Sequence, residues 1–436
     1  MMNPKTTRRT FLNSATALSA ALFVPASVLG LGKTTAANDR INVGCIGVGP
    51  RGTRVMRDFL SNDSCRVVAL CDVKSNVLSE KQKLVHDFYG NQDCQTYADF
   101  RELVARDDID ACLVATCDHW HVLNSLAAVR SGKDVYMEKP MGLTIEEDQA
   151  MRAAVLQENR IFQFGTQQRS SANFRRACEI ARNGLLGEVH TINVWSPGSA
   201  QRGTPEQVPP PAWLDYDLWL GPAQYTPYTK NRCSNELWWH ITDYALGFIA
   251  GWGIHPMDIA LWGCEPHFQG VWHVEGRGKF PKTGVCNAAL TWDVQIQVRN
   301  GLTVNFKGES WADEWKKRYG DESSHGTVFE GPEGWVFVRR GKIEAQPKSL
   351  LEANIQRPLH VSENHVGNFL HSIRGRQPAI SSIETAVKSD VLCHISDIAI
   401  RREEKLLFDS QRETFIGNHE ANKRLQRPMR SPWRLR

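Results

Sequence analysis

The 436-residue sequence lacks three features that would have settled its class at once. It has no long basic stretch with interleaved aromatics, and a net charge of +4 is small for this length, so nucleic-acid binding is not indicated. It has no Cys-x-x-Cys pair, and its eleven cysteines are odd in number. Cys45, Cys71 and Cys112 fall inside apolar strand-like runs, which predicts buried thiols rather than a disulfide framework or a structural zinc site. It also has no apolar run long enough to span a membrane. What remains is the composition of a soluble globular protein, too long for one ordinary core, so two domains are expected.

Before those domains stands "TTRRTFLNSATALSAALFVPASVLG", with Arg8 and Arg9 followed by Phe11, Leu12 and a weakly apolar run to about Leu31. A disordered basic tail is the plain alternative. The Arg-Arg-x-Phe-Leu order ahead of an apolar run favours a twin-arginine export signal over residues 1–37, cleaved between Ala26 and Ala37, and hence a periplasmic or otherwise exported protein.

Residues 38–166 alternate strand-like and helical patterns. Strands are expected at 41–49, 66–73, 109–116, 134–138 and 161–165, and helices around 51–61, 75–89, 98–105, 121–131 and 144–159, the last opened by a Thr144/Glu147 capping box. Nearly continuous apolar strands separated by helices imply a doubly wound parallel sheet, an α/β Rossmann domain. The first strand runs into Gly47-Val48-Gly49-Pro50-Arg51-Gly52, and Asp72 follows at the end of the second. Alone, a G-x-G-x-x-G is a weak signal; between a strand and a helix, with that acid, it is the dinucleotide fingerprint. Gly47, Gly49 and Gly52 with Arg51 would receive a pyrophosphate at the helix N-terminus. Asp72 would accept from ribose hydroxyls and repel a 2′-phosphate, so the cofactor is expected to be NAD in preference to NADP, with nearby Lys74 softening the preference.

Two strand ends are loaded with chemistry: "TCDHWH" (116–121) and "YMEKPMG" (136–142). Ligands in such sheets bind beyond the carboxyl ends of the strands. There Lys139 can hydrogen-bond a substrate hydroxyl and stabilise its developing negative charge, while Glu138 fixes a cofactor ribose. The plain alternative is a surface Glu138–Lys139 ion pair of small energetic value. His119 and His121 are spaced as zinc ligands, but no partner cluster stands at sensible spacing, so no metal is expected.

These residues carry a resemblance. Gly47–Gly52, Asp72, "DHWH" and above all "EKP" resemble the glucose–fructose oxidoreductase/inositol dehydrogenase (Gfo/Idh/MocA) family over essentially all of the mature chain. "FGTQQRSS" (164–171), "LWLGPA" (218–223), "GWGIHPMDIALW" (251–262) and "RPMRSPW" (427–433) resemble a secreted bacterial branch of it. The resemblance implies a Rossmann domain followed by an α+β domain with a large, mostly antiparallel open sheet, through which homo-oligomers form. It implies that Asp118, His119, Trp120, His121 and Gln168 join the cofactor site, that Lys139 is catalytic, and that the second domain contributes a catalytic histidine.

From about 187 the pattern changes to period two, with a Pro-rich irregular region near 204–223 and strand candidates at 188–196 and between 268 and 340. Asn300-Gly301 marks a hairpin turn. The second domain is placed at 167–360, and a helical tail, 361–436, is expected to pack back on the Rossmann domain. Twelve of the fourteen tryptophans fall between 195 and 335. Most would fill core; Trp238 and Trp239 are placed near substrate, because flat aromatic faces suit sugars. "AGWGIHPMDIALW" should begin a helix presenting His255 to the cleft as general base, with Asp258 sharing its face. Family dehydrogenases carry Asp-x-Gly-x-His here, and this sequence has Gly251 in the aspartate's place. Either Asp243 or Asp258 substitutes for it, or the histidine acts alone. The expected activity is an exported NAD(H)-dependent oxidoreductase acting on a sugar, polyol or glycoside and holding its cofactor tightly. The alternative is a redox-assisted glycosidase or lyase working through a transient 3-keto sugar.

Overall fold

The computed structural model describes residues 39–298 and 301–436. The 1–37 signal reading and Asn300 of the expected turn lie outside the described residues. Six parallel strands form the first sheet: β1 (Ile41–Ile46), β2 (Cys65–Cys71), β3 (Gln95–Tyr97), β4 (Ala111–Val114), β5 (Asp134–Met137) and β6 (Phe162–Phe164). Their spatial order is β3-β2-β1-β4-β5-β6. Helices α1 (Pro50–Leu60), α2 (Ser75–Tyr89), α3 (Phe100–Val104), α4 (Asp118–Arg130) and α5 (Ile145–Gln157) connect them in turn. In β4, Cys112 and Val114 enter one core while Ala111 and Leu113 enter another. A strand covered on both faces has to be apolar throughout, which is why these runs read continuously. The strand order reverses between β1 and β4, and that reversal opens a crevice at the carboxyl ends.

Two expectations need correction here. The edge strand β3 was not foreseen, since Gln95-Thr96-Tyr97 is half-buried to exposed and carries no apolar run. The capping box is half formed: Thr144 accepts from the Glu147 amide, but the Glu147 carboxylate turns to the Leu143 amide instead of the Thr144 amide.

After α6 (Ala172–Arg182) the chain builds a nine-stranded sheet of β7 (Thr191–Ser196), β8 (Val271–Lys279), β9 (Thr291–Gln297), β10 (Thr303–Gly308), β11 (Gly326–Gly331), β12 (Gly334–Arg339), β13 (Lys342–Gln346), β14 (Leu406–Asp409) and β15 (Thr414–Phe415). Its order is β13-β12-β11-β7-β10-β9-β8-β14-β15, with every pair antiparallel except β7 and β10. In β9, Trp292, Val294 and Ile296 are buried while Asp293, Gln295 and Gln297 turn outward, the alternation of a sheet with one covered face. Between β7 and β8 lie α7 (Tyr216–Leu220), α8 (Phe248–Gly251) and α9 (Ile254–Cys264); α10 (Asp313–Tyr319), α11 (His365–Gly375), α12 (Ile383–Arg402) and α13 (His419–Asn422) follow.

Much of the tail packs on the Rossmann domain: Phe369 of α11 meets Phe59 and Tyr136 edge-on, Asp390 of α12 accepts from the Met141 amide, and Trp433 meets Phe100 and Trp120. The tail also serves the second domain, since Ile400 of α12 lies against Gly276 and Gly278 of β8, and β14 and β15 extend the second sheet, buried Leu406 and Phe408 flanking outward Leu407. All eleven cysteines are unbridged and ten are buried. Among the described residues no helix is long and apolar enough to cross a membrane.

His365 ties α11 to the first sheet. Its Nε2 donates to the Phe164 carbonyl at 2.8 Å, and its Nδ1 lies 2.8 Å from the Ser170 hydroxyl. Burial pulls it down to about 4, so it is neutral when folded. As pH falls from about 6.5 toward 4 the unfolded chain takes up this proton first, and stability is lost. We expect urea titrations to show His365→Gln with a shallower acid-side decline than wild type, by about 3 kcal/mol at full titration.

Candidate active site

The crevice becomes a cleft of about 300 Å3, lined from both domains. At its floor the three glycines act for different reasons. Gly47 has φ +83°, and a Cβ there would sit 2.7 Å from the Ala115–Thr116 backbone. A Cβ on Gly52 would lie 1.9 Å from the Gly47 carbonyl oxygen, so this glycine lets α1 close on the loop. A Cβ on Gly49 would meet nothing within 4 Å. The protein does not need that glycine for its own packing; the open space over it lies where a diphosphate would approach the N-terminus of α1. Asp72 lines the same cleft and accepts from the Val48 and Lys74 amides at 2.9 and 3.0 Å. Lys74 is turned away, its Nζ donating to the Cys233 carbonyl at 2.8 Å. The donor set and the open glycine together fit a dinucleotide.

Beyond β5 the Lys139–Pro140 bond is cis. Glu138 is 2% exposed, and its partner is Arg51 at 2.6 Å rather than the Lys139 side chain. Gln167 donates to the same oxygen at 2.9 Å. Burial pushes this carboxyl up, but the Arg51 charge outweighs it, and Glu138 stays below its ordinary range. Glu138 thus lines the cleft while it anchors Arg51 and Gln167 at its wall.

Lys139 Nζ donates to the Gly251 carbonyl at 2.8 Å and stands 5.8 Å from the centre of the Trp239 ring. Burial draws its pKa down, while Glu138 and Asp118 partly restore it. Asp118 also lines the cleft, buried, with Oδ2 unpartnered among the described residues and its carboxyl pushed well up by burial. His255 at the start of α9 lines the opposite wall, 4% exposed. Burial first, then the cations Lys139 and Arg340, hold it well below its ordinary value, so the imidazole is neutral and can accept a proton.

Of the two candidate supports for His255, neither serves. Asp243 is exposed and away from the cleft lining. Asp258 does not share the cleft-facing side: fully buried, it takes a two-pronged bond from Arg169 at 2.7 and 2.8 Å and another from the Ser389 hydroxyl at 2.7 Å. Its substrate assignment is corrected to a structural ion pair. His255 Nδ1 has no hydrogen-bond partner among the described residues, while the Trp252 ring packs against the imidazole edge-on at 5.7 Å.

The remaining assignments divide. Trp120 and His121 line the cleft, His121 with Nδ1 2.6 Å from the Pro140 carbonyl. His119 does not reach it; its Nε2 donates to the Trp219 carbonyl at 3.0 Å and its ring packs against Trp219 and Tyr244. Positions two apart on a helix point about 200° apart, so only one histidine of the pair could face the ligand. Gln168 is likewise buried behind the wall, bridging the His255 carbonyl and Arg340 Nε once its amide is oriented to satisfy both. Its neighbour Gln167 takes the cleft position. Trp238 and Trp239 both line the cleft. Among the lining residues that went unforeseen are Trp252, Asn235, whose Oδ1 accepts from Trp238 Nε1 at 3.0 Å, and Arg340, stacked 4.7 Å over Trp252. Only Trp252 had a signal, its place inside the histidine motif.

The glycines allow a direct test. Gly49→Ala should fold with near wild-type stability yet weaken dinucleotide binding by about tenfold or more. Gly52→Ala should lose stability, because its Cβ must displace backbone. Calorimetric titration with NAD and thermal unfolding of both variants check this; equal effects on both readouts would contradict the division of roles.

Comparison with known proteins agrees with this geometry. The family described as an oxidoreductase family with an NAD-binding Rossmann fold matches residues 41–166, and its C-terminal alpha/beta domain matches residues 193–435. Among curated relatives, a glycosyl hydrolase family 109 protein of Saccharopolyspora erythraea is 30% identical over 209 residues, 42% of this chain and 44% of that one. One from Shewanella amazonensis is 34% identical over 161 residues, 34% and 33% of the two chains. The matches thus span less than half the length of these relatives. Among solved structures, an aldose-aldose oxidoreductase from Caulobacter crescentus complexed with glycerol superposes with a TM-score of 0.61 at 20% identity, over 84% of this chain and 99% of that one. A scyllo-inositol dehydrogenase from Lactobacillus casei with bound NAD(H) and scyllo-inositol gives 0.58 at 16% identity, with the same coverage. At these identities the structural likeness speaks to fold. The two family matches, covering both sheets, establish that the chain belongs to the Gfo/Idh/MocA oxidoreductase family.

Proposed function

We propose that this chain uses NAD, held in the cleft, to oxidise a hydroxyl of a sugar, polyol or glycoside. The observation that carries the reading is the meeting of Lys139 and His255, one from each domain, at the cleft end where Trp238 and Trp239 offer flat faces. When bound, a nicotinamide supplies the hydride acceptor. His255, held neutral by burial and by the cations around it, takes the hydroxyl proton. Lys139 spends one N–H on the Gly251 carbonyl and keeps two for the substrate oxygen, where negative charge develops. Support for NAD over NADP comes from Asp72 at the ribose end and from Lys74, whose ammonium is engaged by Cys233 rather than free for a 2′-phosphate.

A second reading is favoured by the names of the curated relatives, glycosyl hydrolases that match part of this chain. Transient oxidation at C3 acidifies the neighbouring C2–H, whose loss expels the C1 substituent; water then adds at C1 as a proton returns to C2, and return of the hydride to C3 closes the cycle without net redox change. The Arg8-Arg9 motif supports export, and export favours this cycle, since NAD is not freely exchanged outside the cytoplasm. Recovery of the protein in the periplasmic fraction is the direct test of export.

Product analysis separates the two readings. NADH formed in step with substrate loss supports net oxidation; aglycone release with unchanged nucleotide absorbance supports the cycle. Neither product from any sugar, polyol or glycoside, with nucleotide bound, would contradict both. In either case Lys139→Met should keep its nucleotide, lose kcat by about 10²–10³-fold and shift KM far less. His255→Ala should lose a comparable factor, and the double variant less than the product of the two. Normal turnover by Lys139→Met would make the lysine structural.

A further inference from the structure

Behind the Lys139 loop, on the side away from the cleft, three side chains distant in sequence converge. Asp148 comes from α5, and Asp390 and His394 lie four apart on one face of α12. Their ligand-type atoms all lie within 4.8 Å of one another. His394 Nε2 stands 3.2 Å from Asp148 Oδ2 and 3.2 Å from Asp390 Oδ2. Yet neither approach has the alignment of a good hydrogen bond, and among the described residues His394 Nε2, both oxygens of Asp148 and Asp390 Oδ1 have no well-aligned hydrogen-bond partner. Asp148 is 0% exposed, and among the described residues no lysine or arginine pairs with either carboxylate.

We infer that Asp148, Asp390 and His394 form a binding site for one divalent transition-metal cation. With Nε2 3.2 Å from an oxygen of each carboxylate and the three ligand-type atoms within 4.8 Å of one another, one ion between them reaches all three at about 2.0–2.2 Å after shifts of a few tenths of an ångström. A mixed imidazole–carboxylate set selects zinc, manganese, cobalt or ferrous iron over calcium or magnesium. One divalent charge also neutralises two buried carboxylates at once, where an uncompensated pair would be costly.

The ligands are themselves held. Asp390 Oδ2 accepts from the Met141 and Gly142 amides at 3.2 and 3.4 Å, which fixes its orientation and joins the site to the loop after Pro140. His394 borders a separate cavity of about 280 Å3 whose other lining includes Arg401, Lys423, Arg424 and Arg427. A free cation would cross that basic vestibule slowly, so the ion should enter during folding and resist chelators afterwards.

The test is total metal in tag-free protein from cells grown with zinc, manganese, cobalt and iron supplements, after dialysis against EDTA. We expect about one divalent ion per chain, and below about a tenth of that in Asp148→Asn with His394→Gln. Should that variant not fold, wild-type protein unfolded in guanidinium with EDTA and refolded with and without the retained metal serves instead, the metal-refolded sample melting higher. Wild-type protein without a stoichiometric divalent metal, or metal that persists in the folded double variant, would overturn the assignment.

Discussion

The arrangement depends on one contact, the bond from Lys139 Nζ to the Gly251 carbonyl. Lys139 stands at the carboxyl end of a Rossmann strand; Gly251 closes the short helix just before the one that carries His255. The bond spans the two domains and sets the distance between a fixed positive charge and a neutral base. Gly251 is suited to this because its backbone does the work. A Cβ there would have only Phe248 near it, at 3.7 Å, so the position is roomy as well as bare. The carboxylate that family dehydrogenases place here would stand beside the ammonium and the histidine. Without it, burial first and then the cations Lys139 and Arg340 hold the His255 pKa well down.

The charge distribution follows from that choice. Arg51 is compensated by Glu138, which also accepts from Gln167. Glu138 is buried while Arg51 is part-exposed, so removing Arg51 would strand the carboxylate in a dry wall. Asp118 is the remaining acid of the cleft close to Lys139, and burial keeps its carboxyl high. The substrate end is therefore positive, a field suited to an alkoxide and unfavourable to an imidazolium. The base is weak at rest, and negative charge developing on the substrate oxygen would strengthen it.

Much of this was legible in the sequence, and the exceptions share a cause. The parallel strands read clearly because both their faces are buried, and the glycine loop read clearly because its spacing is dictated by a turn and a helix end. Strands β3, β13, β14 and β15 escaped notice because they are short and lie at or near sheet edges, where little burial constrains composition. Site residues failed where a choice hung on side-chain direction. His119 against His121, and Gln168 against Gln167, are near neighbours whose roles are decided by which one faces the cleft. Asp258 has the right spacing from His255, but Arg169, 89 residues away, claims it. Arg340 reaches the cleft from the β12–β13 hairpin, which nothing in the local sequence announces.

The proposed retention of NAD ties the glycine loop, Asp72 and the Lys139–His255 pair into one account. The most direct measurement is to denature protein purified without added nucleotide, then identify and quantify what it releases. The account predicts close to one NAD(H) per chain, by the affinity arithmetic that lets a nanomolar ligand survive purification at about stoichiometric occupancy. Release of NADP in its place would contradict the role given to Asp72, and release of no nucleotide from folded protein would contradict retention.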